Sequence, residues 1–144
     1  VTEDGEAIWD ELACGHYRIS DAYREQAAGA ECTEAQRRLQ TYRGSKPPLD
    51  LRGKTAIIVD DGIATGYTML AAVFSCRQKG AAGIIVAAPV MAADARRLFA
   101  KQADKVVAMQ SPEHFGAVGR CYAEFGQTSD EEVIYLLRTS ASGT

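Results

Sequence analysis

The 144-residue sequence has no CxxC pair, no polybasic stretch, and no apolar run near the roughly 20 residues that a membrane span requires. Each absence removes a class of function. The four cysteines, Cys14, Cys32, Cys76 and Cys121, are too scattered for a zinc ligand pair. Nothing marks the chain as secreted, so they read as free thiols in a reducing compartment, with Cys76 inside an apolar helical pattern. The two histidines, His16 and His114, pair with none of them in any pattern that would activate a thiol nucleophile. A net charge of −3 argues against a nucleic-acid surface or an acidic-membrane patch. The opening residues are polar and acidic, unlike a secretory leader. The expectation is a cytoplasmic protein without nucleic-acid or membrane partners. GxxxxGK[ST] and GxGxxG are also missing, which excludes a Walker A loop and a dinucleotide fingerprint.

What is present is an ordinary globular mixture, 47% hydrophobic and 24% charged, long enough for one domain with a real core. Residues 1–42 read as a short hairpin, with Asp4-Gly5 at its turn, followed by a helical segment that Ser20 caps. Gly29 and Thr33 leave room for two helices there, and few large apolar residues mark a packing face. The stretch 43-RGSKPPLDLRG-53 is a loop, and residues 43–54 are expected to be mobile. Residues 55–138 have a different rhythm. Apolar runs at 55–60, 83–89 and 105–110 alternate with helical spacing at 66–79 and 92–102, and Ser129 with Glu132 forms a capping box before a last helix. Strands without polar alternation, separated by helices, predict an α/β domain with a parallel, Rossmann-like sheet covered on both faces.

The segment 57-IIVDDGIATGYTM-69 carries the chemistry. In an open parallel sheet, ligands bind at the carboxyl ends of the strands. Asp60 and Asp61 end the first strand, and the loop from Gly62 to Thr68 leads into a helix whose N-terminus attracts phosphate. Gly66 permits a close backbone approach, and Thr65 and Thr68 add hydroxyl donors. A carboxylate repels phosphate but accepts hydrogen bonds from vicinal hydroxyls. Diol acceptors at one end and a phosphate cradle at the other match a ribose 5-phosphate.

This segment resembles the phosphoribosyl pyrophosphate motif of the type I phosphoribosyltransferases. Residues 42–138 more broadly look like a bacterial subgroup of that family, through 42-YRGSKPPLDLRGK-54, the motif, 117-AVGRCYAEFGQTSDEEV-133 and the hairpin. The resemblance implies transfer of a phosphoribosyl group to or from a nitrogenous base, with phosphoribosyl pyrophosphate or a nucleoside monophosphate as partner and Mg2+ carried on the pyrophosphate. It implies that Asp60 and Asp61 bind the ribose hydroxyls. It implies that Gly62 and the run Ala64, Thr65, Gly66, Tyr67 and Thr68 form the phosphate loop, and that 43–53 closes over substrate. It points to no catalytic residue and to no metal ligand on the chain. Alanine at 64 departs from the hypoxanthine-type members, which place an aspartate there, so purine salvage is not carried over. The family's earlier strand and pyrophosphate loop have no counterpart after Val1. The expectation is therefore a domain without its N-terminal portion, weak or inactive alone, and a free edge on the 55–60 strand that pairs into a dimer. A non-catalytic nucleotide-binding regulator on the same fold is the alternative.

Other residues carry plainer readings. Arg43, Lys46 and Arg52 read first as a solvated loop and second as electrostatic help to pyrophosphate. Phe115, Tyr122 and Phe125 read as core, with base stacking as the alternative, while His114 reads as a surface residue and Trp9 as a packing anchor. Tyr67 is expected to point outward from its loop.

Overall fold

The computed structural model describes residues 1–141. Helices α1 (Glu11–His16) and α2 (Asp21–Arg43) come first. Strand β1 (Thr55–Val59), the short β2 (Gly62–Ile63), helix α3 (Tyr67–Gln78), strand β3 (Gly83–Met91), helix α4 (Ala93–Phe99), strand β4 (Lys105–Gln110) and helix α5 (Asp130–Ala141) follow, with a single 3-10 turn at Val118–Cys121. All three ladders are parallel. β3 is central: it pairs with β1 and, further along the same edge, with β2, while β4 lies on its other side. No helix among the described residues is long and apolar enough to cross a membrane.

Side chains of period two decide where the core sits. Ile84, Val86 and Ala88 of β3 point to one face, where they meet Met69 and Val73 of α3 and Ala95 and Phe99 of α4. Ala56 and Ile58 of β1, and Val106 and Ala108 of β4, join the same cluster. Phe99 is fully buried, and burying a side chain of that size contributes about 2 kcal/mol. Asp104 ties the sheet together before β4: its Oδ2 accepts the buried Ile84 amide at 2.7 Å and also takes Arg77 at 2.9 Å.

The expectation of a sheet covered on both faces is not met. The opposite register leaves Ile57, Val59 and Met109 65%, 68% and 85% exposed. The physical reason lies in α2, the longest helix. It has no buried residue and no apolar stripe, so it has nothing with which to cover a sheet, and it packs against α5 instead. The Asp130 carboxylate ties that pair, accepting from Arg37 Nη1 at 2.6 Å and from the Tyr42 hydroxyl at 2.5 Å. The Arg37 guanidinium first, and then the Tyr42 hydroxyl, hold Asp130 below the usual carboxylate range.

The N-terminal segment also departs from expectation. Residues 1–9 form a tight turn rather than a paired hairpin. The Thr2 amide donates to the Glu6 carbonyl at 2.8 Å, and the Thr2 hydroxyl accepts the Glu6 amide at 3.0 Å. The turn therefore closes on a side chain, and the residues after it pack on helices. Ile8 lies by Ala27 and Ala28 of α2 on one side and by Leu70, Val73 and Phe74 of α3 on the other. Lys79 holds the turn to the end of α3 through Glu3 and Asp4, each at 2.7 Å. Trp9 is half-buried under the Arg24 guanidinium, 5.6 Å from its ring centroid, which fits the packing role read from sequence. α2 is one helix, capped by Ser20 as predicted, with Ser20 Oγ accepting from Tyr23 N–H at 3.2 Å. α1 has no counterpart in the sequence reading, yet its cap was readable: Asp10 Oδ1 accepts from Ala13 N–H at 2.9 Å.

Two substitutions test this arrangement. Phe99→Ala should cost about 3–5 kcal/mol in urea unfolding, because the site is sealed between α3, α4 and the sheet. Met109→Lys, on the open face, should leave unfolding unchanged within about 0.5 kcal/mol.

Candidate functional site

Because all strands run the same way, β1, β3 and β4 deliver their carboxyl ends to one edge of the sheet. The loops leaving that edge are 60–66, 92 and 111–117. They border an open cavity of about 900 Å3 lined by Ala64 and Thr65 from the first loop, Tyr67 at the start of α3, Asp94 and Arg97 from α4, and Glu113 to Gly116 from the third loop. This is where a parallel sheet offers a ligand site.

The first loop has two halves. In the acidic half, the Asp60 amide donates to the Ala87 carbonyl at 3.2 Å, and the Asp60 carboxylate accepts the Asp61 amide at 2.9 Å. Asp60 is half-buried and Asp61 exposed. Burial pushes the Asp60 carboxyl above its ordinary range, opposed by the Asp61 amide and aided by the Asp61 charge. Gly62 then joins β3 through β2. A Cβ at Gly62 would come within 2.4 Å of Val118 Cγ1, so a larger residue cannot sit there without displacing that side chain.

In the second half the chain turns into α3. Gly66 is the N-cap, with φ of +87°. A Cβ there would stand 2.9 Å from Phe99 Cε2, so both the backbone angle and the close approach require glycine. No side chain caps α3, which leaves its first amides facing outward with the positive end of the helix dipole. Ala64, Thr65 and Thr68 are exposed around this end.

The predicted residues do not all face one space. Ala64, Thr65 and Tyr67 line the cavity and Asp60, Asp61, Gly62 and Gly66 do not, whereas Thr68 lines a groove with Leu49 and Leu51, which brings the 43–54 loop beside the start of α3. Tyr67 does not point outward as expected. It is half-buried on the cavity wall with Asp10, and burial first and the Asp10 carboxylate second push its phenol up. Arg43 donates to the Pro47 carbonyl at 2.6 Å, and Arg52 grips Asp50 at 2.8 Å, so both serve the loop's own shape. Lys46 lies with Arg43 against α5 rather than at the phosphate loop. Tyr122 and Phe125 are not deep core: the rings sit 5.3 Å apart, and Phe125 is half exposed. His114 is exposed, and Phe115 is half-buried on the cavity wall. Asp94, Arg97 and Glu113 were missed as wall residues. Their place just past β3 and β4 was the available signal. All four cysteines are free.

Comparison with known proteins agrees with this geometry. The profile of the phosphoribosyl transferase domain matches residues 10–125. Proteins from two strains of Mycobacterium tuberculosis, each named "Putative phosphoribosyl transferase", are 36% identical over 137 residues. The match takes in 95% of this chain and 31% of theirs, so the chain spans less than a third of the length of these curated relatives. The crystal structure of TT1426 from Thermus thermophilus superposes with a TM-score of 0.74 at 35% identity, over 95% of this chain and 64% of that one. With the sheet order, the glycine-bound helix start and the profile in agreement, the chain belongs to the phosphoribosyl transferase domain family.

Proposed function

We propose that this chain binds phosphoribosyl pyrophosphate, or a nucleoside monophosphate, through residues 60–68, and that the protein transfers the phosphoribosyl group to or from a nitrogenous base in nucleotide metabolism in the cytoplasm. One observation carries the reading: a half-buried acidic turn runs directly into an uncapped helix N-terminus at the carboxyl edge of the sheet. Asp60 and Asp61 would accept the ribose hydroxyls. The amides of Ala64 to Thr68, with the Thr65 and Thr68 hydroxyls, would hold the 5-phosphate. The base would lie in the cavity walled by Phe115 and the start of α4.

The reaction is displacement at the anomeric carbon. The base nitrogen forms its bond as the bond to pyrophosphate breaks, and the nitrogen's proton passes to solvent. Positive charge develops on the sugar, and fixed placement of both partners lowers the barrier without a covalent nucleophile. Mg2+ would supply charge neutralisation of the pyrophosphate. A second reading, a regulator that binds the same ligands without turnover, is favoured by Ala64, which puts no acid or base on the cavity wall at that position.

Calorimetry with phosphoribosyl pyrophosphate and Mg2+ tests the binding step. Asp60→Asn and Asp61→Asn should each weaken binding by about tenfold or more, the scale of a lost charged hydrogen bond. Equal binding by the double variant refutes the assignment. Turnover against a panel of bases separates the enzyme from the regulator.

The raised Asp60 carboxyl gives a pH signature. Its proton returns at a higher pH than for an ordinary aspartate, so affinity for ribose 5-phosphate should begin to fall above the usual carboxylate range as pH is lowered. The ligand's own phosphate titrates as well, but equally for Asp60→Asn, so the difference between the two profiles isolates Asp60. The free edge of β1 supports self-association, and light scattering at micromolar concentration should report a dimer.

A further inference from the structure

The chain between β4 and α5 returns to the acidic turn from the far side of the sheet edge. The Tyr122 hydroxyl donates to the Asp61 main-chain carbonyl at 2.5 Å, across 61 residues of sequence. Val118 packs onto Gly62 so closely that a Cβ there would be 2.4 Å from it. Phe125 backs the Tyr122 ring at 5.3 Å, and Gly119 gives it room, since a Cβ at 119 would stand 3.0 Å from Phe125 Cδ1. Two glycines and two aromatic rings thus close one contact.

The turn is anchored at both ends by the sheet. Before it, the Asp60 amide is held by Ala87; after it, Gly62 and Ile63 are paired with Val90 and Met91. The peptide between Asp61 and Gly62 lies between these anchors, and its carbonyl is the atom that Tyr122 holds. Rotation of that peptide would swing the Asp61 carboxylate, and it would shift the acceptor geometry of Asp60, which depends on the Asp61 amide at 2.9 Å.

We propose that the 117–125 segment is a clamp on the acidic turn and that Tyr122 is its positioning residue, fixing the directions in which the Asp60 and Asp61 carboxylates face the ligand. The ligand part rests on the ribose reading given above. Tyr122 touches the turn through its main chain, so it acts on the ligand only through Asp61. A hydrogen bond of this kind is worth a modest factor, and Tyr122→Phe, which keeps the ring against Phe125, should weaken ribose 5-phosphate binding about fivefold.

The test is calorimetry with ribose 5-phosphate, combined with amide hydrogen exchange, on the wild-type chain, Tyr122→Phe and Asp61→Asn. The expected result is a roughly fivefold affinity loss in Tyr122→Phe, with faster exchange confined to Asp61 and Gly62 and unchanged exchange in β3. A purely packing role predicts that Tyr122→Phe behaves as wild type in both measurements, and that result overturns the clamp. Faster exchange throughout the sheet also overturns it, since Tyr122 would then be supporting the whole fold. If the wild-type chain binds no ribose 5-phosphate, the ribose reading fails, and the exchange pattern alone decides the clamp: faster at 61–62 upholds it, unchanged refutes it.

Discussion

The contact between Gly66 and the Phe99 ring is the constraint on which the site depends. Phe99 closes α4 and is fully buried, so the ring is fixed by the core itself. The chain that enters α3 crosses directly over this ring, at a distance that leaves no room for a Cβ, and does so with positive φ. The direction of α3 is thereby tied to the position of α4. Both helices then cover the same sheet face, and the N-terminus of α3 opens beside the carboxyl ends of the strands rather than over their middle. A side chain at 66 would force either the helix or the ring to move, and the outward amides of α3 would move with them.

The acidic pair precedes an anion-attracting helix end, and the two are set apart along the loop. Asp60 is half-buried against β3, and its carboxylate is already engaged by the Asp61 amide. The uncapped amides of α3 lie several residues further on, around exposed Ala64, Thr65 and Thr68. A ligand with hydroxyls at one end and a phosphate at the other would satisfy both, whereas inorganic phosphate alone would meet only the second. Burial raises the Asp60 carboxyl, and hydroxyl donors placed against its charged form would lower it again. The shift is thus one that ligand hydroxyls would oppose.

Much of this was legible from sequence, and the limits have a common physical cause. β1, β3, β4, α3 and the Ser20 and Ser129 caps follow from apolar runs, helical spacing and short-range side-chain bonds. The loop at 60–68 was legible because strand end, turn and helix start are contiguous. What failed were inferences about which surfaces meet. Ile57, Val59 and Met109 look like buried strand residues in every local respect, yet no described helix covers them, since the apolar run records what a strand tolerates on each face and not what lies opposite. Val1 to Trp9 has a hairpin's alternation, but the neighbouring grooves of α2 and α3 take its apolar side chains and leave no second strand. Tyr67 was misread because Asp10, which acts on its phenol, lies at the N-cap of α1, far from the loop in sequence.

The same distinction separates the two parts of the candidate site. Under the proposed reading, ribose and phosphate would both be held by one contiguous stretch, residues 60–68, whose geometry is set by β1, α3 and the Gly66–Phe99 contact. The opposite cavity wall is assembled from Asp94, Arg97 and the 113–116 loop, which follow the later strands β3 and β4 rather than the 60–68 loop. Changes in that wall alter shape and charge far along the sequence from Asp60 and Asp61, without touching the Asp60–Asp61 hydrogen bond or the start of α3. If the proposed reading holds, acceptor choice and sugar-phosphate binding would rest on separate segments of this chain. The 117–125 segment limits that separation, since it follows the 113–116 loop and reaches the Asp61 carbonyl through Tyr122. Val118 against Gly62 and Tyr122 on the Asp61 carbonyl are the contacts by which the chain that follows the 113–116 wall touches the acidic turn.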